Sequence, residues 1–176
     1  IIISTRGTLC AWGLSAKKSF IKKIWLKLFI NPFVKNAAWH ATSLEEKRDI
    51  LKVYPVAKVC IIPNGINLSD YGKHEKLNKK DFLYKFTKIK KKSIDKIIIS
   101  MGRLHQKKGF DILITTFKMV LADYPNSILL IAGKDDGELS ELLKLTSKLN
   151  LQEHVFFIGQ VYGEDKINFY ANADLF

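Results

Sequence analysis

Short apolar runs alternate along the chain with segments whose apolar positions recur every three to four residues. That alternation predicts parallel strands with helices packed on their faces. Residues 17–30 carry a helical pattern: Phe20, Ile21, Ile24, Trp25, Leu28 and Phe29 share one face, and Lys17, Lys18, Lys22, Lys23 and Lys27 lie elsewhere. Residues 37–42 read as a short strand. Ser43 followed by Glu46 forms a capping-box pattern that opens a helix, and Pro55 marks its end. Residues 59–62 are the next strand, broken by Pro63-Asn64-Gly65.

The pattern changes over 67–95, where lysines, polar residues and isolated aromatics dominate and 81–88 reads as a short helix. We read this stretch as a linker and entry segment. It separates a first domain over 1–66 from a second over 96–176. The second is the more regular. Strands are expected at 96–101, 127–132 and 154–158, followed by Gly102, Gly133 and Gly159, with helices at 110–124, 138–149 and 164–171 between and after them. Ile114, Phe117, Val120 and Leu121 point inward from the first of these helices. Residues 174–176 begin a fourth strand. Strand, glycine, helix, three times over, is half of a doubly wound sheet.

Composition permits a core, because 47% of the 176 residues are hydrophobic. The start at Ile1-Ile2-Ile3 without Met, and the close on a strand-like run, predict a piece of a longer protein. The net charge of +12 suits a polyanionic or phosphorylated partner, although Lys, Ile and Asn are abundant throughout, as a coding bias toward A and T would produce. Cys10 and Cys60 lack metal-ligand spacing and read as free, buried thiols in a reducing compartment. No run is long enough to span a bilayer. The segment 17–30 fits either an anionic membrane surface, with Trp25 and Phe29 dipping in, or a helix packed on its own sheet with its lysines in water; we prefer the second. The four histidines show no metal spacing, and His40, in a strand, reads as a satisfied core residue.

The candidate chemistry lies beyond the carboxyl ends of the strands, where doubly wound sheets bind ligands. Gly102, Gly133 and Gly159 stand there, and each taken alone is an ordinary strand terminator. The segment from Gly102 to Ile114 is more specific. Its first strand delivers Arg103, and a short loop presents Lys108 just before a helix begins at 109 or 110. Two cations and a helix N-terminus on one spot suit a diphosphate: the backbone N–H groups and the dipole favour anions, and the guanidinium offers forked hydrogen bonds. Asp135-Asp136 read as a solvated turn, and no Asp-x-Asp metal motif is present.

Pro63-Asn64-Gly65-Ile66, Gly102-Arg103-Leu104 with Lys108-Gly109, Ile131-Ala132-Gly133, Phe157-Ile158-Gly159-Gln160-Val161 and Tyr170-Ala171-Asn172-Ala173-Asp174 follow one another in an order that resembles the family 4 (group 1) glycosyltransferases. Thr5-Arg6-Gly7-Thr8-Leu9 and His40-Ala41-Thr42-Ser43 look like that family's late acceptor-side domain. The resemblance implies an α/β fold of GT-B type, two Rossmann-like domains with a cleft between them, both incomplete in this chain. It implies transfer of a sugar from a nucleoside diphosphate to an acceptor hydroxyl with retained configuration, in polysaccharide or lipopolysaccharide synthesis on the cytoplasmic side of a membrane. It requires no metal and no cofactor.

By the same resemblance Arg103 and Lys108 are catalytic, holding the diphosphate. Gly102, Gly133, Val161 and Lys166 bind the donor, the last two near the base, and Asn64 and Gly65 lie near the cleft. Three departures from the family pattern matter. Its downstream glutamate pair would begin just after Phe176, its N-terminal glycine-rich loop is not in this stretch, and Asn67 stands where the family often has Asp. This stretch alone is therefore expected to be inactive. A rival reading from charge alone is a non-catalytic Rossmann-like module that binds nucleic acid, and a GT-B epimerase is a minor variant of the enzyme reading.

Overall fold

A computed structural model describes residues 1–15, 19–34, 36–67, 69, 74 and 76–176; Lys17, Lys18 and Lys73 lie outside them. The chain divides into two units, Ile1–Ile66 and Asn67–Phe176. Each is built on a parallel sheet with helices in the crossovers, the α/β pattern expected.

In the first unit β1 (Ile2–Ser4), β2 (Ala38–Ala41) and β3 (Lys58–Ile61) pair in that order. Between β1 and β2 run α1 (Ala11–Ser15), α2 (Ser19–Trp25), a π-helical turn (Leu26–Ile30) and α3 (Asn31–Val34). Among the described residues of this run, Leu14, Leu26, Ile30 and Val34 reach the core, where they meet Trp39, Ala41 and Ile50. The face assigned inward from the sequence points the other way: Phe20 is 74% exposed and Leu28 60%, with Ile21, Ile24, Trp25 and Phe29 also exposed. Two apolar stripes compete on this segment, and the stripe repeating at 26, 30 and 34 takes the sheet. Cys60 is exposed on β3 and Cys10 half-buried, so neither thiol has the full burial expected.

The capping box forms only by half. Ser43 Oγ accepts from Glu46 N (3.2 Å) at the start of α4 (Leu44–Val53), but the Glu46 carboxylate does not return to Ser43. It turns inward, where Oε1 accepts from Thr5 Oγ1 (2.6 Å) and Gly7 N (2.8 Å), and Oε2 from Thr42 N and Thr42 Oγ1 (both 2.7 Å). One buried carboxylate thus ties the loop after β1 to the end of β2. Burial alone would raise its pKa; the hydrogen bonds from Thr5, Thr42 and Gly7 outweigh that and hold it at about 2.

In the second unit β4 (Ile97–Met101), β5 (Ile128–Ala132) and β6 (Val155–Gly159) form a parallel sheet, crossed over by α6 (Phe110–Asp123) and α7 (Leu139–Lys148) and followed by α8 (Gly163–Ala171). Every residue of β5 is buried, as its central place demands. Ile114 and Phe117 are buried as predicted, with Val120 and Leu121 packed against them. Residues 174–176 pair with the other side of β4, through a parallel bridge from Ile98 to Leu175 and the bond from Ile99 N to Leu175 O (2.9 Å). Part of the stretch read as linker and entry segment joins the core. Phe82 and Leu83, on α5 (Lys79–Thr87), are fully buried against the β4–β5 face with Phe169. Lysines around them hid two core residues in a polar background.

At the carboxyl edge the strand-ending glycines are stitched together: Gly102 N donates to Ala132 O (2.9 Å) and Gly133 N to Gly159 O (2.7 Å). A Cβ at Gly133 would overlap the Gly102 carbonyl oxygen and stand 2.7 Å from its carbon. Gly133 is thus more than the strand terminator it reads as alone; only glycine allows the two backbones so close.

Two outcomes follow from these contacts. Glu46→Ala removes the acceptor for four buried or part-buried donors and is expected to destabilise the first unit by about 3 kcal/mol, read as a lowered urea midpoint in tryptophan fluorescence, since Trp12, Trp25 and Trp39 all lie in that unit. With its pKa lowered from 4.5, this carboxylate contributes stability that is complete above pH 4.5 and lost as pH falls toward 2; a variant as stable as wild type at pH 6 would refute its role. Gly133→Ala is expected to cost about 1–3 kcal/mol by overpacking, and an unchanged melting temperature would contradict the close approach.

Candidate functional site

The strand order of the second unit sets where a ligand fits. From β4 the chain moves to β5 and β6 on one side, then returns to place 174–176 on the other. The reversal makes the carboxyl end of β4 a topological switch point, the place at which doubly wound sheets bind ligands. Gly102 and Arg103 stand at that end.

The loop beyond it folds back over the strand. His105 Nδ1 accepts from Lys107 N (3.1 Å) and opens a 3-10 turn over Gln106–Lys108. His105 therefore shapes the loop. Gly109 closes that turn with φ +66° and starts α6. This reversal lays the Lys108 side chain across Gly102: its Cδ and Cε lie 3.7 Å from where a Gly102 Cβ would stand, beside the Phe110 ring at 3.6 Å. Phe110 is buried and anchors the first turn of α6 in the core. Lys108, Gly102, Gly133 and the start of α6 are thus gathered at the end of β4, with Arg103 the next residue along.

Arg103 carries a partner that its sequence position did not suggest. Its Nη1 meets Asp136 Oδ2 at 2.7 Å, in a pair whose side chains are 70% and 40% exposed. The turn holding Asp136 is ordered rather than merely solvated. Asp135 Oδ1 accepts from the backbone N–H groups of Gly137 (3.0 Å), Glu138 and Leu139 (3.1 Å each), and these bonds, Leu139's foremost, hold its carboxyl below the usual range. The N-terminus of α7 is therefore filled by a protein carboxylate, whereas α6 opens with Gly109, which has no side chain to cap it. Of the three helices that start at this edge, α6 and α8 have no side-chain cap, and α6 is the one that follows β4.

Val161 and Lys166 lie beyond β6, on the far side of β5 from β4. The Val161 side chain packs against the Phe82–Phe169 core, and Lys166 is half-buried in α8. Asn64 and Gly65 belong to the first unit, where Asn64 Oδ1 accepts from Arg6 Nη1 (2.6 Å) and no atom crowds Gly65. Arg6 has φ +49° and precedes Gly7, whose N–H is bound by Glu46. Sequence reading passed over Arg6 and Glu46 as site-shaping residues; the signal available was an acid three residues after a capping serine. His40 is hydrogen-bonded as expected, with Nε2 donating to Ile62 O (2.8 Å) and Nδ1 paired with the Ser4 hydroxyl (3.0 Å), but it is half-buried rather than in the core.

This arrangement has relatives. The family described as glycosyl transferases group 1 matches residues 82–176. An uncharacterised glycosyltransferase of Methanocaldococcus jannaschii is 35% identical over 120 residues, which are 68% of this chain and 28% of the relative. The alpha-monoglucosyldiacylglycerol synthase of Streptococcus pneumoniae is 25% identical over 162 residues, 92% of this chain and 36% of that enzyme. Among solved structures, the HepE protein of Anabaena, crystallised with UDP and glucose, superposes with a TM-score of 0.61 at 19% identity, covering 78% of this chain and 36% of that one. The chain thus spans about a third of the length of such relatives, and its two parallel-sheet units have the Rossmann-like form of GT-B enzymes. With the glycine-edged switch point and its basic loop both inside the matched segment, this chain belongs to the glycosyl transferases group 1 family.

Proposed function

We propose that this chain is part of a retaining glycosyltransferase of family 4 that moves a sugar from a nucleoside diphosphate to an acceptor hydroxyl, in the synthesis of a surface polysaccharide or lipopolysaccharide. The observation that carries the reading is the Lys108 side chain laid over Gly102 at the uncapped start of α6, with Arg103 the next residue after Gly102, at the switch point of the second unit. In transfer, the bond from the anomeric carbon to the diphosphate oxygen breaks, and the acceptor oxygen bonds that carbon as its hydroxyl proton passes to an oxygen of the departing diphosphate. Negative charge grows on the departing diphosphate, and two preorganised cations stabilise it there without a metal. Loss of one such donor typically raises a barrier by roughly 3–4 kcal/mol. Gly102 and Gly133 let the backbone approach the phosphates, and the main chain at Val161 with Lys166 is suited to the base. Asn64 and Gly65 are assigned to the acceptor side. The UDP seen in the HepE structure supports a nucleotide donor of this class.

Two measurements test this on the protein at its full natural length. UDP or GDP is expected to raise its melting temperature, and Arg103→Ala to weaken that binding about 10- to 100-fold, as for a charged hydrogen bond; salt-sensitive binding of random DNA, indifferent to Arg103→Ala, would favour the polyanion reading instead. We also assign the exposed apolar face of α2 and the π-helical turn to peripheral contact with an anionic membrane, because residues 1–44 contain seven Lys or Arg and no Asp or Glu. No described helix is long and apolar enough to cross a membrane. Co-sedimentation with phosphatidylglycerol vesicles should exceed that with phosphatidylcholine and fall in Phe20→Ser with Phe29→Ser; equal binding to both lipids would remove this assignment.

A further inference from the structure

We infer that Asp136 is the resident counter-ion of Arg103, which an incoming diphosphate displaces, and that its carboxylate thereby weakens retention of the nucleoside diphosphate product. The inference rests on the donor reading of the site and adds a residue that sets its preference between the two nucleotides.

The ion pair of Arg103 Nη1 with Asp136 Oδ2, 2.7 Å long, engages one nitrogen of the fork. Both side chains are substantially exposed, so the pair is weak, and a diphosphate offering several charged oxygens competes well for the guanidinium. The carboxylate stays nearby once displaced, because the backbone beneath it is fixed. Leu104 N donates to Lys134 O (2.8 Å), Asp136 N to Leu104 O (3.0 Å), and Asp135 is locked by three N–H bonds to the start of α7. The loop after β5 is thus zipped to the loop after β4, and Asp136 remains beside whatever Arg103 holds.

A fixed negative charge there acts unequally on the two nucleotides. Freed of its sugar, the terminal phosphate has a second ionisation near pH 6, so at neutral pH the product carries about one more negative charge than the sugar-linked donor. Asp136 therefore repels product more than donor, which favours release after transfer.

The test is isothermal calorimetry on the full-length protein with UDP and UDP-glucose, or with GDP and GDP-mannose if guanine is the base bound. Asp136→Asn is expected to tighten the free diphosphate about two- to fivefold, the scale of an exposed ion pair, and the sugar nucleotide by less. Asp136→Glu keeps the charge and should stay near wild type; Asp136→Ser removes it by a second route if the amide disturbs the turn. Unchanged or weaker diphosphate binding in the neutral variants, with wild-type melting, would overturn the inference while leaving Arg103-dependent binding intact. Should wild type bind neither diphosphate, the donor reading falls and this one with it.

Discussion

The approach of two backbones at the end of the second sheet governs the geometry of everything above it. Gly133 lies against the Gly102 carbonyl at a distance no side chain would permit, and Gly133 in turn bonds to Gly159. With β4, β5 and β6 closed to this spacing at their carboxyl ends, the loops that leave them start from one tight edge. Lys108 can then fold back onto Gly102, and the loop carrying Asp136 can bridge to the loop carrying Arg103. A methyl group at position 133 would push these loops apart at their base.

Electrostatics divides that edge into filled and open places. Both α6 and α7 start there, and each presents N–H groups that attract negative charge. Asp135 fills the start of α7 from within the protein, and Asp136 occupies part of the Arg103 fork. Among the described residues, the starts of α6 and α8 carry no side-chain cap, and the exposed Lys108 lies beside the first of them. The acidic pair therefore does more than sit in solvent. Asp135 closes the start of α7 from within, and Asp136 sets its charge against the Arg103 guanidinium.

The first unit solves a similar problem with a different device. Its loop after β1 holds Arg6 in a left-handed conformation that is uncommon for a residue with a side chain, and the buried Glu46 carboxylate secures the residues on either side of it through Thr5 and Gly7. Arg6 in turn holds Asn64, so the two loops at that edge share one support. The apolar residues of α2 and the π-helical turn left outside this core are the counterpart of the stripe that α3 and the π-helical turn bury.

Local pattern was enough to place every strand but β1, the helices of the second unit, the glycine edge, and Arg103 and Lys108 near a helix start, because periodicity, chain-breaking residues and capping act over a few residues. It was not enough where two local solutions compete or where a partner comes from a distant segment. Which stripe of residues 20–34 meets the sheet, that Phe82 and Leu83 leave a lysine-rich stretch to join the core, that Glu46 abandons its capping box for Thr5 and Gly7, and that Asp136 reaches Arg103 across 33 residues were all decided by packing. Each depends on what another part of the chain brings alongside, and hydrophobic burial and hydrogen bonding reward that only once the chain has folded.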